Sequence, residues 1–181
     1  MNDLDKLRYP IGRFARLTRP LARDDRARVI DDIESAPATL RQLTAGLTDT
    51  QLETPYRPGG WTIRQLVHHV PESHMNAYIR TKLAVTEDSP AIKTYDEARW
   101  AELKEAHTAP VEVSLDLIDA LHRRWVMLLE NMTDADFKRA FHHPENGIMP
   151  LEPTVEMYAW HGRHHVAHIQ ALRGRMGWLL S

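Results

Sequence analysis

The sequence contains no cysteine in its 181 residues. This absence excludes disulfide bonds, thiolate metal ligands, iron–sulfur clusters and a cysteine nucleophile. The sequence also lacks an apolar run close to the roughly 18 residues that a membrane-spanning helix requires. We therefore predict no membrane partner and no metal bound by cysteine.

Neither sign of charge is in large excess, because 23 basic residues stand against 25 acidic ones and the formal net charge is −2. Nucleic-acid-binding domains are usually strongly basic, so we predict no nucleic-acid partner. The N-terminal sequence MNDLDKLRYP is charged and has no apolar stretch typical of a signal peptide. We therefore predict a cytoplasmic protein.

Helical periodicity predicts four long helices, at about residues 24–47, 62–86, 114–132 and 152–173. Thr62 and Gln65 have the spacing of a capping box, and Ser114 is predicted to be the N-cap of the third helix. Pro37 is predicted to kink or interrupt the first helix. The last helix is predicted to end at Gly174 and Gly177.

The remaining segments are predicted to be short helices and loops. A short helix is predicted within residues 95–103 and another at 133–137, whereas 48–60 and about ten residues around Pro144 and Gly147 are predicted to be loops. No segment shows a convincing strand alternation. The predicted fold is an all-α four-helix bundle, with an extended N-terminal arm (1–23) and a single metal-binding domain (24–181).

Seven of the eleven histidines fall in two of the predicted helices. On a helical wheel, the four histidines of the last helix lie within an arc of about 100° that faces the core. They form two i,i+4 pairs, His161 with His165 and His164 with His168. Buried imidazoles need polar partners, and a metal ion is one such partner. Spacing alone does not choose between the two pairs.

The second helix supplies a plausible third ligand, His69. Several polar side chains lie within about 60° of His69 on the wheel and are predicted to line a polar pocket, namely Gln65, Glu72, Ser73, Asn76 and Arg80. The same stripe is also compatible with a solvated face. His68 lies about 100° away and is predicted to point elsewhere. His122 falls within the apolar stripe of the third helix and is predicted to border the pocket.

Three long segments make the sequence similar to a known family: YRPGGWTIRQLVHHVPESHMNAYIRTKLA (56–84), SLDLIDALHRRW (114–125) and YAWHGRHHVAHI (158–169). Together with YPIGRF (9–14) and RMGW (175–178), they resemble the YfiT-type subfamily of the DinB-like superfamily over nearly the whole chain. The resemblance implies a four-helix bundle, a homodimer and one divalent metal ion per subunit.

The resemblance also implies which histidines bind the metal, namely His69, His161 and His165. His164 and His168 would then line the pocket or support the ligands. Pro71 departs from the family pattern, and we expect it to bend the ligand helix and alter the pocket without abolishing metal binding.

Three histidine ligands with open coordination positions are typical of catalytic metal sites. Zinc is the first choice for nitrogen ligands and nickel the second. The resemblance implies a metal-dependent hydrolase that activates water and acts on a small-molecule substrate. Glu72 is the candidate general base, although it could equally be a surface carboxylate.

Two alternative functions remain open at this point. An open metal also ionises a bound thiol, and relatives in the wider superfamily are thiol-dependent enzymes. The protein could therefore be a bacillithiol S-transferase, with Arg80 or Arg163 binding an anionic low-molecular-weight thiol. The second alternative is a non-catalytic, metal-stabilised stress-response module.

Overall fold

The computed structural model describes residues 3–15 and 20–178, which form nine helices and two short strands. The elements in chain order are α1 (Asp3–Arg8), α2 (Arg23–Thr44), α3 (Asp49–Leu52), α4 (Ile63–Thr86), α5 (Glu97–Ala101), α6 (Lys104–Thr108), α7 (Val111–Glu130), α8 (Asp134–Phe137), β1 (Ala140–His143), β2 (Gly147–Pro150) and α9 (Leu151–Met176).

The four long helices α2, α4, α7 and α9 form a bundle, as predicted. Helices α2 and α4 each pack against both α7 and α9. Consecutive long helices α2 and α4 therefore occupy opposite corners of the bundle, and so do α7 and α9. The connection from α2 to α4 and the connection from α7 to α9 therefore cross the bundle diagonally. In a simple up-and-down bundle, by contrast, consecutive helices are neighbours.

Helix α4 begins as the sequence predicted. The Thr62 hydroxyl accepts a hydrogen bond from the Gln65 amide at 3.2 Å, and the Gln65 side chain accepts one from the Thr62 amide at 3.0 Å. Pro71 lies inside α4, which nevertheless continues to Thr86. Likewise, α2 is not interrupted at Pro37, which is buried in the bundle.

Three local predictions need correction. Helix α7 begins at Val111 after Pro110, so Ser114 is an interior residue and not the N-cap. The N-terminal arm is not extended throughout, because residues 3–8 form α1. The segment 48–60, predicted to be a loop, contains the short helix α3, whose N-cap Thr48 forms a capping box with Gln51.

The segment around Pro144 and Gly147 is a β-hairpin and not a loop. Strands β1 and β2 pair antiparallel, with Phe141 opposite Met149. Gly147 follows the turn with a φ of 71°, a conformation that favours glycine. The backbone of His142 also exchanges hydrogen bonds with residues 90 and 92, so contacts distant in sequence support this short hairpin.

The apolar stripe of α7 is buried as predicted, with Ile118 and Trp125 fully enclosed and Leu129 nearly so. Helix burial of this kind is the main favourable contribution to a bundle's stability. Among the described residues, no helix combines the length and apolar character needed to cross a membrane.

Helix α9 ends at Met176 with Gly177 as its C-cap, whereas Gly174 lies inside the helix with open space where a β-carbon would lie. Gly177 has a φ of 67°, typical of a glycine that terminates a helix. We expect Gly174→Ala to raise the free energy of unfolding by about 0.5–1 kcal/mol and Gly177→Ala to lower it by about 1 kcal/mol. Urea unfolding of the matched pair measures both effects, and a gain from Gly177→Ala would contradict this assignment.

Candidate metal centre

Helices α4 and α9 bring three imidazoles together in the bundle. The Nε2 atom of His161 lies 3.3 Å from Nε2 of His69 and 3.1 Å from Nε2 of His165. One ring nitrogen from each of the three histidines lies within 4.8 Å of the others. The spacing of His161 and His165, one helical turn apart on α9, directs both rings toward the histidine of α4.

The two distances from Nε2 of His161 to the other ligand nitrogens fit a divalent metal. Tetrahedral ligation with Zn–N bonds of about 2.0–2.1 Å places ligand nitrogens about 3.3 Å apart. The rings also approach one another edge to face, with His161 and His165 at an interplanar angle of 78°. The donor set, its separation and its burial are therefore suited to an ion such as zinc or nickel.

Burial keeps the three imidazoles neutral. It lowers the pKa of His69 to about 4. The pKa values of His161 and His165 lie well below the ordinary value, first because of burial and then because of the neighbouring histidines. Metal binding requires an unprotonated nitrogen, so the site is prepared to bind a cation at neutral pH.

The three histidines open onto a cavity of about 980 Å³. Its wall combines aromatic rings, cationic groups and acidic groups, which suits a small molecule with both apolar and polar parts. The aromatic and cationic members of the wall are Tyr9, Tyr56, Trp61, Tyr95, Tyr158, Trp160, Arg8, Arg57 and Arg80. The acidic members are Asp96, Glu97 and Glu145.

Four of the pocket residues predicted from sequence line this cavity, namely Ser73, Arg80, His164 and His168. Arg80 is 9% exposed and donates a hydrogen bond to the Lys93 carbonyl at 3.3 Å. The His164 ring stacks on Trp160, with centroids 4.5 Å apart. His168 lies in the same wall, with its Nε2 atom 3.1 Å from the Arg8 carbonyl oxygen.

The structure does not bring four other candidates to the cavity wall. Gln65 donates to the Ala101 carbonyl at 2.8 Å, and Asn76 donates to the Glu72 carbonyl at 2.9 Å. His122 is buried in the bundle core. Gln65 does not reach the cavity because α5 and α6 pack on α4 and cover part of its polar stripe. Arg163 also lies outside this cavity and forms an ion pair with Asp32.

Glu72, the candidate base, does not line the cavity. Its carboxyl group is partly buried, and burial together with the charge of Glu105 raises its pKa to about 7. A carboxyl group with such a pKa is suited to exchange protons near neutral pH, but a base must also reach the reacting group. The catalytic role of Glu72 therefore stays a prediction. His68 points away from the metal ligands as predicted, with Nδ1 2.7 Å from the Ser114 hydroxyl.

Sequence reasoning missed two tyrosines, Tyr95 and Tyr158, that are hydrogen-bonded to predicted pocket residues beside the metal ligands. Tyr158 is bonded to both Ser73 and Arg80, and Tyr95 is bonded to Ser73. Burial raises the pKa of Tyr95 to about 12, so this phenol remains a hydrogen-bond donor. Tyr158 precedes His161 by three residues on one helical face, a spacing that could have indicated it.

Comparison with known proteins places the chain in a family. Residues 32–169 match the DinB superfamily. The chain belongs to the DinB superfamily. It is 49% identical over 173 residues to "Putative metal-dependent hydrolase YfiT" of Bacillus subtilis, which covers 95% of this chain and 97% of that protein. It is 51% identical over 178 residues to a "Putative metal-dependent hydrolase" of Bacillus cereus, which covers 98% of this chain and 100% of that protein.

Solved structures agree with this assignment. One is described as "YfiT from Bacillus subtilis", "a probable metal-dependent hydrolase with an unusual four-helix bundle topology". It superposes with a TM-score of 0.93 at 48% sequence identity and covers 96% of this chain and 99% of that chain. A second, TT2238, "a four-helix bundle protein", has a TM-score of 0.56 at 20% identity, covering 81% of this chain and 98% of that chain, and supports the fold alone.

Proposed function

We propose that this protein is a metal-dependent hydrolase that binds one divalent ion through His69, His161 and His165. The observation that carries the proposal is the convergence of three neutral imidazoles, those of His69 and His165 buried and that of His161 half-buried, at the wall of a cavity of about 980 Å³. Structural zinc sites are usually closed by four protein ligands, whereas catalytic sites have three and an open position. The names of the two Bacillus relatives support the same activity.

Zinc is the proposed metal and nickel the alternative, because imidazole nitrogen suits both ions. A divalent ion bound with an open position lowers the pKa of its water ligand toward neutrality, which supplies a nucleophile for hydrolysis. Because all three protein ligands are neutral, they leave the positive charge of the ion uncompensated within the site.

Arg80 supplies a second positive charge to the cavity. It donates to the Lys93 carbonyl and is bonded to Tyr158, and it forms no ion pair with a carboxylate among the described residues. Its charge is therefore available to orient an anionic part of the substrate or to stabilise negative charge that develops on oxygen. The Trp61 ring, whose centroid lies 4.6 Å from that of the His69 ring, adds an apolar surface beside the ligands.

Hydrolysis is tested by the source of oxygen in the product. Zinc-loaded and nickel-loaded protein are each incubated in ¹⁸O-labelled water with a panel of small esters, amides and haloaromatic electrophiles. We expect metal-dependent turnover that incorporates one solvent oxygen atom per bond cleaved, and His161→Ala is the metal-free control. Mass spectrometry of the products measures the incorporation.

The same assay separates the other functions. Each substrate is also tested with and without an added low-molecular-weight thiol. Turnover that requires the thiol and incorporates no solvent oxygen would replace hydrolysis by thiol transfer. Tight metal binding without turnover across the panel would favour a metal-stabilised module. We further propose a homodimer, which light scattering during size-exclusion chromatography measures directly.

A further inference from the structure

A chain of hydrogen bonds through the buried rings of His122 and His74 leads from the backbone of α2 to the metal ligand His161. The Ile33 carbonyl oxygen lies 2.5 Å from Nδ1 of His122. Nε2 of His122 lies 2.8 Å from Nδ1 of His74, and Nε2 of His74 lies 3.1 Å from Nδ1 of His161. One group comes from each of the four long helices, so the chain crosses the whole bundle.

The first member fixes the direction of every bond in this chain. A carbonyl oxygen only accepts, so Nδ1 of His122 must carry the hydrogen. A neutral imidazole has one N–H, which leaves Nε2 of His122 as the acceptor for Nδ1–H of His74. By the same reasoning, Nε2 of His74 accepts from Nδ1–H of His161. The hydrogen of His161 is thereby placed on Nδ1, and its Nε2 lone pair is free.

The chain requires neutral imidazoles, and the burial of its members supplies that condition. His74 is 0% exposed and His122 is 1% exposed. A charged imidazole at such enclosed positions would lose its hydration, so the neutral form is favoured. A charged His74 would instead donate from both of its nitrogens, so Nδ1 of His161 would accept and the hydrogen of His161 would lie on Nε2. A neutral chain pairs both nitrogens of His74 and both nitrogens of His122.

We infer that His74 and His122 are positioning residues that hold His161 as its Nδ1–H tautomer, with the Nε2 lone pair directed at the nitrogens of His69 and His165. This inference rests on the proposed metal centre but not on the reaction that the centre catalyses. Partners of this kind fix the ring orientation and raise the basicity of a metal-ligating histidine.

The other two ligands have no equivalent support. Within the part of the chain that the structure describes, Nδ1 of His69 and Nδ1 of His165 are buried without a hydrogen-bond partner. His161 is also the central ligand, because its Nε2 atom makes both of the short contacts between ligand nitrogens. An error in its tautomer would place a hydrogen at the centre of the cluster and oppose metal binding.

A purely structural role would satisfy buried nitrogens without affecting the metal, and three variants separate the two roles. His74→Leu removes the acceptor for Nδ1–H of His161. His74→Gln keeps an acceptor, because the side-chain oxygen of glutamine can take the position of Nε2. His122→Phe keeps the ring volume but no longer fixes the tautomer of His74. His68→Leu is the matched control, because His68 is a buried histidine of the same helix whose ring, among the described residues, bonds to Ser114 and to the Ala109 carbonyl and to no metal ligand.

The first measurement is the tautomer of each ring in the full-length, zinc-loaded protein labelled with ¹⁵N-histidine. We expect the ring ¹⁵N shifts to show the hydrogen on Nδ1 in His122, His74 and His161. The Nε2–H form of His74 or His161 would overturn the inference. This result is independent of turnover, so failure of the proposed hydrolysis leaves the measurement intact.

The second measurement is zinc affinity by competition with a chelator, with urea unfolding of each variant as the control for stability. We expect the zinc Kd to rise about 10–100-fold in His74→Leu, to rise less in His122→Phe and to stay within about threefold of wild type in His74→Gln. His68→Leu should lose stability but not zinc affinity. Unchanged affinity in both His74→Leu and His122→Phe, or equal weakening in His68→Leu, would overturn the inference. If His74→Leu does not fold, His122→Phe and His74→Gln decide it.

Discussion

Alanine substitution of His69, His161 or His165 is expected to remove most of the bound divalent metal. Each substitution deletes one of three converging nitrogen ligands and leaves a site with two. The loss of a ligand should weaken affinity by more than the 10–100-fold that follows loss of a ligand's hydrogen-bond partner, so we expect at least about 100-fold. Metal content after dialysis and chelator competition measure the effect.

The control for this experiment is His68→Ala, which we expect to retain its metal. His68 neighbours His69 in sequence, but its ring is bonded to the Ser114 hydroxyl and lies 3.2 Å from the Ala109 carbonyl oxygen. Its loss should therefore lower stability and leave the three ligands in place. Full metal retention in any of the three ligand variants would refute the ligand set. Equal metal loss in His68→Ala would indicate unfolding, which circular dichroism detects.

The bundle was predictable because its signals are local. The apolar stripe of α7 and the capping box formed by Thr62 and Gln65 depend on spacings of three and four residues within one helix. The i,i+4 spacing of His161 and His165 likewise follows from a single helix. Geometry left two histidine pairs open, and only the family resemblance chose between them. In the structure, Nε2 of His161 lies 3.3 Å from Nε2 of His69 and 3.1 Å from Nε2 of His165.

The features missed in the fold depend on contacts between distant segments. Strands β1 and β2 have four residues each, too few to show a clear alternation. The hairpin is supported by bonds between His142 and the backbone near residue 91, fifty residues away in sequence. Serine is a favoured N-cap residue, which made Ser114 a candidate, but the N-cap of α7 is Pro110, four residues earlier, and the helix begins at Val111.

The outer partners of the metal site were missed for a similar reason. His74 lies five residues after His69, so the two rings point in directions about 140° apart on α4. A helical wheel therefore gives no indication that both rings belong to one site. Their connection runs through His161 of another helix, which touches both. A wheel shows which residues share a face, but it does not show which two faces meet. The buried position of His122 in an apolar stripe was the one signal of a polar partner across the bundle.

The second large expected effect concerns Glu72→Gln, which should stabilise the protein at alkaline pH. Burial first, and the charge of Glu105 second, raise the pKa of Glu72 to about 7 from an ordinary value of 4.5. The folded state therefore binds more protons than the unfolded state between these values, and wild-type stability falls as pH rises through this window. Glutamine carries no charge, so the variant avoids this loss.

We expect Glu72→Gln to be about 1–2 kcal/mol more stable than wild type at pH 8, after allowance for partial solvent screening, and nearly equal to it at pH 4.5. Urea unfolding at pH 4.5, 6 and 8 measures the difference. Glu105→Gln removes only the second cause, so its gain should have the same sign and be smaller. A gain that does not change with pH would contradict the raised pKa.

The same variant also tests whether Glu72 is a general base. A base must come within hydrogen-bond reach of the proton it accepts, and the described cavity wall does not include this carboxyl group. Loss of turnover at full metal content, together with loss of a rate increase near pH 7, would support the catalytic role. Turnover retained by a more stable Glu72→Gln would instead assign the raised pKa to burial beside Glu105, and the search for a base would move to the acidic side chains of the wall, Asp96, Glu97 and Glu145.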